Sequence, residues 1–278
     1  MKKWIVQTYK SLVGRIERLV GELTPQNDLV VLCMHSIPVE FETTFQNLIS
    51  KLRRKYVVLS PDELEDFLKN PSNYQNGPYL IFTFDDGLKN NLRAAKILEK
   101  NSISGLFFIV PDFVNSSNPS EFYRTNIRPE KERIEKSNSD VTPMTWEELE
   151  ELVSMGHVVG CHTHSHLLHP DMNETDSRKE IVESKKLLED KLSIQITHFA
   201  SPNNTLESVN ENSAQLIRDN YKYHHTTVPG LFRKHLVDDH LVFRRNIEVH
   251  WKTGPTLFAL GSFDLRRWRE ARNVLSRF

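Results

Sequence analysis

The chain has 278 residues, 36 basic against 37 acidic side chains, a net charge of −1 with neutral histidines, and 38% hydrophobic residues. That length buries one large core or two modest ones. The charge balance argues against a nucleic-acid binder, and no run of about 18 apolar residues exists to form a transmembrane helix.

Ile5, Tyr9, Leu12, Ile16, Leu19 and Leu23 recur at helical spacing, with Lys2, Lys3, Lys10, Arg15 and Arg18 between them. This predicts an amphipathic helix over residues 1–24. Gln7, Lys10 and Arg15 interrupt any continuous apolar stretch, so the segment does not read as a secretory signal. The helix either packs on the body of the domain or makes a peripheral contact with an anionic membrane face. Pro25 to Asp28 breaks it, and residues 25–278 read as a single domain. LVVLCMH (29–35) suits a buried strand, 45–54 and 61–68 are helical, and YLIFTF (79–84) is a second buried strand. A helix near 90–100 and a strand GLFFIV (105–110) follow. Residues 115–143 are polar, with Pro119, Pro129 and Pro143, and read as an excursion from the core, a lid or a disordered loop.

Thr145 with Glu148 makes a capping box for a helix that runs to about Met155, where Gly156 stops it. HVVGCH (157–162), a helix over 176–192, ITHFA (196–200), a helix near 209–220, YHHTT (223–227) and LVFRRNIEV (241–249) complete the alternation. A basic C-terminal helix then carries Arg266, Arg267, Arg269, Arg272 and Arg277. At least six strand–helix steps predict an α/β fold, a complete or incomplete (β/α) barrel, with a doubly wound sheet as the alternative.

Composition alone does not explain five histidines between His157 and His169. Sites in such folds form at the C-terminal ends of strands, and two strand ends here are polar. TFDDG (83–87) places two carboxylates side by side, which is costly to bury unless a cation or hydrogen bonds compensate. HTHSH (162–166) follows the next polar strand end. His162 and His166 share a face if the segment is helical, whereas His162 and His164 share one if it is extended. With a carboxylate from the other strand end they form a three-ligand set that leaves a position open, as a catalytic zinc site requires. Cys33 and Cys161 cannot build a disulfide framework, which points to a reducing compartment; Cys161 reads as buried filler.

TFDDG, then GCHTHSH, then FASPN (199–203) resemble in order and spacing the polysaccharide deacetylases, carbohydrate esterase family 4, over roughly residues 29–250. The resemblance implies a distorted (β/α) barrel and a metal-dependent hydrolase that removes N-acetyl groups from an N-acetylated sugar, polysaccharide or lipid-linked glycan. It implies Asp85 as general base, with Asp86, His162 and His166 as ligands of a divalent metal. That metal is usually zinc, with cobalt, nickel or manganese open because Asp-His-His accepts several ions. Backbone groups near Pro202 and Asn203 would help hold the oxyanion. VLCMHSI (31–37) resembles the opening strand of a circularly permuted branch that includes poly-N-acetylglucosamine deacetylases, which implies His35 as general acid. The family's Arg-x-Pro-[Tyr/Phe] reads Ala200-Ser201-Pro202-Asn203 here, so the arginine that orients the base must come from elsewhere. Arg244 and Arg245 are the alternatives, only one of which faces inward on a strand, and Arg245 is preferred. Two other readings stand beside this one. One is an amidohydrolase or phosphoesterase that uses His198 and His224 or His225, and the other a non-catalytic carbohydrate-binding relative. Location is expected to be cytoplasmic, at the inner membrane face.

Overall fold

The computed structural model describes residues 28–128, 141–203, 208–230 and 240–251, together with Thr256 and Leu260. The expected helices over 1–24 and in the C-terminal stretch, and the centre of the 115–143 excursion, lie outside the described residues. Among the described residues, no helix is long and apolar enough to cross a membrane.

Among the described residues, eight strands appear in chain order: β1 (Leu29–Met34), β2 (Val57–Val58), β3 (Tyr79–Phe84), β4 (Leu106–Ile109), β5 (Val158–Cys161), β6 (His198–Ala200), β7 (Tyr223–Thr226) and β8 (Leu241–Asn246). Every pairing between them is parallel. β1 lies between β3 and β8, and the remaining strands follow in sequence, so seven strands close a ring. The two-residue β2 stands outside it, paired to the first residues of β3, while β4 takes over the same edge at Thr83 and Phe84. This is a (β/α) barrel, as the alternation of strands and helices predicted, and not an open sheet; its distortion, with β2 left outside the ring, is what the family resemblance implied.

The crossovers are helical, with α1 (Glu42–Arg53), α2 (Leu64–Lys69), α3 (Asn90–Lys100), α4 (Trp146–Ser154), α5 (Ser184–Leu192) and α6 (Glu211–Asn220). The predicted capping box opens α4: Thr145 Oγ1 accepts from the Glu148 amide and Glu148 Oε2 from the Thr145 amide. Parallel strands bury both faces, which is why their sequences read as continuous apolar runs. Leu80, Phe82 and Phe84 pack with Phe45, Ile49 and Leu98 in the helix layer. The alternate residues Leu29, Val31, Tyr79, Ile81 and Val242 form a separate cluster inside the ring. Gly160 makes room inside: a Cβ there would lie 2.6 Å from the Phe108 ring.

Of the two readings of the 115–143 excursion, a lid or a disordered loop, its described ends, packed on the body of the domain, favour the first. Phe113 stacks on Phe122 at 5.4 Å, Ile127 is buried, and Pro143 bridges to Leu88. These contacts lay a wall across the C-terminal mouth of the barrel.

Candidate active site

β3 delivers Asp85 and Asp86 to the mouth, and both are 2% exposed. The Asp85 amide donates to the Met34 carbonyl (2.9 Å), which continues the β1–β3 ladder by one residue. At Asp86 the backbone turns left-handed (φ 74°), followed by Gly87 (φ 68°). A non-glycine residue there costs free energy, of a kind that clusters at functional sites.

β5 delivers His162, and the turn after it delivers His166, with Thr163 (φ 62°) and His166 (φ 64°) also left-handed. Asp86 Oδ1 lies 3.6 Å from Nε2 of both His162 and His166. The other ring nitrogens are engaged: His162 Nδ1 donates to the Ala200 carbonyl (2.8 Å) and His166 Nδ1 to the Asn126 carbonyl (2.9 Å). Each Nδ1 therefore carries the proton and each Nε2 offers a lone pair, the tautomer a metal ligand needs. Burial, and for His166 also the neighbouring His162, depresses both; His166 falls to about 4. Asp86 Oδ2 is buried and accepts no hydrogen bond among the described residues, although Arg128 Nη2 stands 3.7 Å away. Burial disfavours the charged Asp86 carboxylate, but Arg128 and the histidines outweigh it and hold the group ionised. Two neutral imidazoles and an ionised, under-satisfied carboxylate fit a divalent cation.

His164 points elsewhere, with Nδ1 3.1 Å from Asp112 Oδ1, so the turn is not extended and His164 does not join the set. Sequence reasoning missed what shapes this turn. The Glu180 carboxylate, 3% exposed, accepts from the amides of His164 (2.9 Å) and Ser165 (2.8 Å) and from the Ser165 hydroxyl (2.6 Å).

The arginine beside Asp85 is Arg244, not the preferred Arg245. Arg244 Nη1 and Nη2 donate to the two Asp85 oxygens at 2.5 and 2.9 Å, and Nη1 also reaches Thr83 Oγ1 at 3.2 Å. Alternation on β8 sends Val242, Arg244 and Asn246 inward; Arg245 faces the other side, where its Nε donates to the Gly230 carbonyl (3.3 Å). Burial pushes the Asp85 carboxyl up, but the guanidinium and His162 pull it well below the usual carboxylate range.

On the far wall, His35 Nδ1 donates to Glu248 Oε1 (3.0 Å), another partner that the sequence did not reveal. Burial would lower the imidazole, yet the carboxylate outweighs it and the pKa is raised. Cys33, inward on β1, donates from Sγ to Asp85 Oδ2 (3.3 Å), and burial pushes its thiol well up. These groups enclose a cavity of about 290 Å³ whose lining includes Asn203, Thr227 and Asn246. Asn203 is left-handed (φ 56°). Pro202 has no amide hydrogen to offer, and its carbonyl accepts from Ser208 Oγ (3.3 Å).

With this geometry, comparison with known proteins is decisive on family. A sequence model of the polysaccharide deacetylases matches residues 72–223, more than half of the chain. The chain belongs to the polysaccharide deacetylase family. No protein of curated function matches the sequence. Among solved structures, it is similar to the deacetylase PplD of Streptococcus pyogenes in complex with acetate, at 18% identity, TM-score 0.64, and coverage of 85% of this chain and 99% of that one. IcaB of Ammonifex degensii is similar at 22% identity and TM-score 0.62, covering 85% and 97%. The BpsB deacetylase domain of Bordetella bronchiseptica follows at 16% identity and TM-score 0.59, covering 81% and 98%. At these identities the structural likeness speaks for the fold, and the family match for the chemistry: this polysaccharide deacetylase is a hydrolase that takes N-acetyl groups off a carbohydrate.

Proposed function

We propose that the chain hydrolyses N-acetyl groups of a glucosamine-type sugar with Asp86, His162 and His166 holding a divalent metal, zinc in the first instance. The observation that carries this reading is the convergence on one cavity of that ligand set, the ionised Asp85 and the Glu248-linked His35. An ion held there supplies Lewis acidity to the acetyl carbonyl and to water.

The chain's own residues do the rest. Asp85 takes the proton of the attacking water, and Arg244, bonded to both carboxylate oxygens, fixes its orientation and keeps it ionised. His35, kept protonated by Glu248, gives its proton to the departing amine. Asn203 at the rim offers its amide to the oxyanion, a role that Pro202 cannot share.

His198, His224 and His225 do not line the cavity, so a different hydrolase built on those histidines finds no support here. His198 Nδ1 lies 2.9 Å from His225 Nε2, and His224 Nε2 2.6 Å from Ser201 Oγ, all buried. The membrane-face location and the N-terminal contact rest on the sequence pattern of residues 1–24 alone.

The test is elemental analysis paired with acetate release from N-acetylated oligosaccharides, for the wild type and Asp86→Ala. Stoichiometric metal and acetate release in the wild type, both lost in the variant, are expected. A wild type that takes up no metal on reconstitution would overturn the mechanism.

A further inference from the structure

One buried group on the cavity wall enters no step above: the thiol of Cys33. It stands on β1 two residues before His35, which follows directly on the strand end, and both residues line the cavity. Cys33 Sγ, a ring nitrogen of His35 and a carboxylate oxygen of Asp85 all lie within 4.8 Å of one another. This set shares no residue with Asp86, His162 and His166, yet it opens on the same cavity. Its Nδ1 donates to Glu248, as those of the other two histidines donate to carbonyls, so the nitrogen left for an ion is Nε2, which gives its lone pair once the imidazolium has lost its proton. Asp85, already bonded to Arg244 and Cys33, supplies the charged oxygen.

We propose that Cys33, His35 and Asp85 form a second, weaker site for a thiophilic divalent ion, excess zinc or cadmium, and that an ion there switches the enzyme off.

The chemistry differs from that of the resident site in one decisive donor. A thiolate selects zinc, cadmium and other soft ions over manganese or magnesium, whereas imidazole and carboxylate tolerate them all. On binding, the Cys33 S–H and His35 Nε2–H bonds are replaced by bonds to the ion, and both protons leave to solvent. The second ion enters a pocket already made positive by the first and by Arg128 and Arg244, which is why it binds less tightly. Neighbouring metal sites in hydrolases tolerate separations of about 3.5–4 Å. Once bound, the ion occupies the oxygen that accepts a proton and the nitrogen that gives one. The inhibitory consequence rests on the deacetylase reading above; the binding does not.

Cobalt titration of the metal-stripped full chain tests the binding without any turnover. A second equivalent that brings a sulfur-to-cobalt charge-transfer band in the near ultraviolet is expected for the wild type. Cys33→Ser, which keeps a hydroxyl to donate to Asp85, should bind one equivalent and show no band. Asp86→Ala should keep the band while it loses the resident site. A wild type that saturates at one equivalent without the band, or a Cys33→Ser protein that still takes up two, would sink the site. For the consequence, manganese-loaded enzyme is titrated with cadmium and, separately, with more manganese. Acetate release should fall with cadmium alone, and Cys33→Ser should need about tenfold more cadmium or beyond. Equal sensitivity of the two proteins overturns the inhibitory role.

Discussion

Asp85 shows how one buried carboxylate is kept charged. A lone ion at 2% exposure would take up a proton instead, and the bidentate Arg244 prevents this. Removing one member of such a pair typically costs about 3–5 kcal/mol, because the other is left uncompensated. His35 is governed the opposite way, raised by Glu248 against the effect of burial. A general acid works only while protonated, so the alkaline fall in activity follows His35 losing its proton. In Glu248→Gln the carboxylate that outweighs burial is gone, and burial and the Arg128 charge are opposed by Asp86 alone, so the imidazole loses its proton at lower pH. The alkaline limb of kcat/KM is expected to move to lower pH, with metal content unchanged; an unmoved limb would remove His35 from the acid role. At this scale, Asp85 and Asp86 were legible because two adjacent carboxylates at the end of an apolar strand need a reason. The choice between Arg244 and Arg245 was not, because both faces of β8 are buried and both arginines are at most 1% exposed. Alternation says that one faces inward, and only the register of β8 against β1 says which.

At the scale of elements, the site is two strand ends and the turns that follow them. The HTHSH turn carries two left-handed residues, and Glu180 holds it by three hydrogen bonds. Glu180 sits in a single π-helical turn, Lys179–Glu183, between the helical residues Glu174–Arg178 and α5. Such one-turn insertions occur often at functional sites. Glu180→Ala should leave the barrel folded but loosen His166, lowering metal affinity about 10–100-fold, the usual cost of an outer-sphere partner. Competition with a chelator would measure this, and unchanged affinity would assign Glu180 to packing alone. Nothing in the sequence marks this glutamate, since one acid among several on a polar helix reads as a solvated face. The helix starts and stops were legible where capping chemistry is local, as at Thr145, Glu148 and Gly156. The wall formed by Phe113, Phe122 and Ile127 was not, because its order comes from contacts with the barrel rather than from its own periodicity.

At the scale of the whole molecule, the barrel stores His198, His224 and His225 as neutral groups away from the cavity. Burial depresses His198 and His224 to about 3, and pushes His225 well below the ordinary histidine value. These groups bind no proton in the folded state until strongly acid pH, whereas the unfolded chain protonates them below about 6.5. Stability is therefore fully present above that value and is lost as pH falls. Each such group contributes a slope of roughly 1.4 kcal/mol per pH unit. The melting temperature of the metal-stripped protein is expected to drop steeply between neutral pH and pH 5. His224→Gln should flatten that drop; the same slope in wild type and variant would refute the assignment. Closure of the ring by β1 between β3 and β8 is also a property of the whole, and it carries His35, directly after β1, to the site built by the later strands.

The sequence by itself determined the fold class, the two chemical strand ends and the family, because apolar period, capping and adjacent polar motifs are local signals. The tertiary structure alone decided the partners: Arg244 for Asp85, Glu248 for His35, Glu180 for the histidine turn and Cys33 beside the base. Each of these pairs joins residues far apart in the chain, and strand register and burial, which no local pattern encodes, bring them into contact.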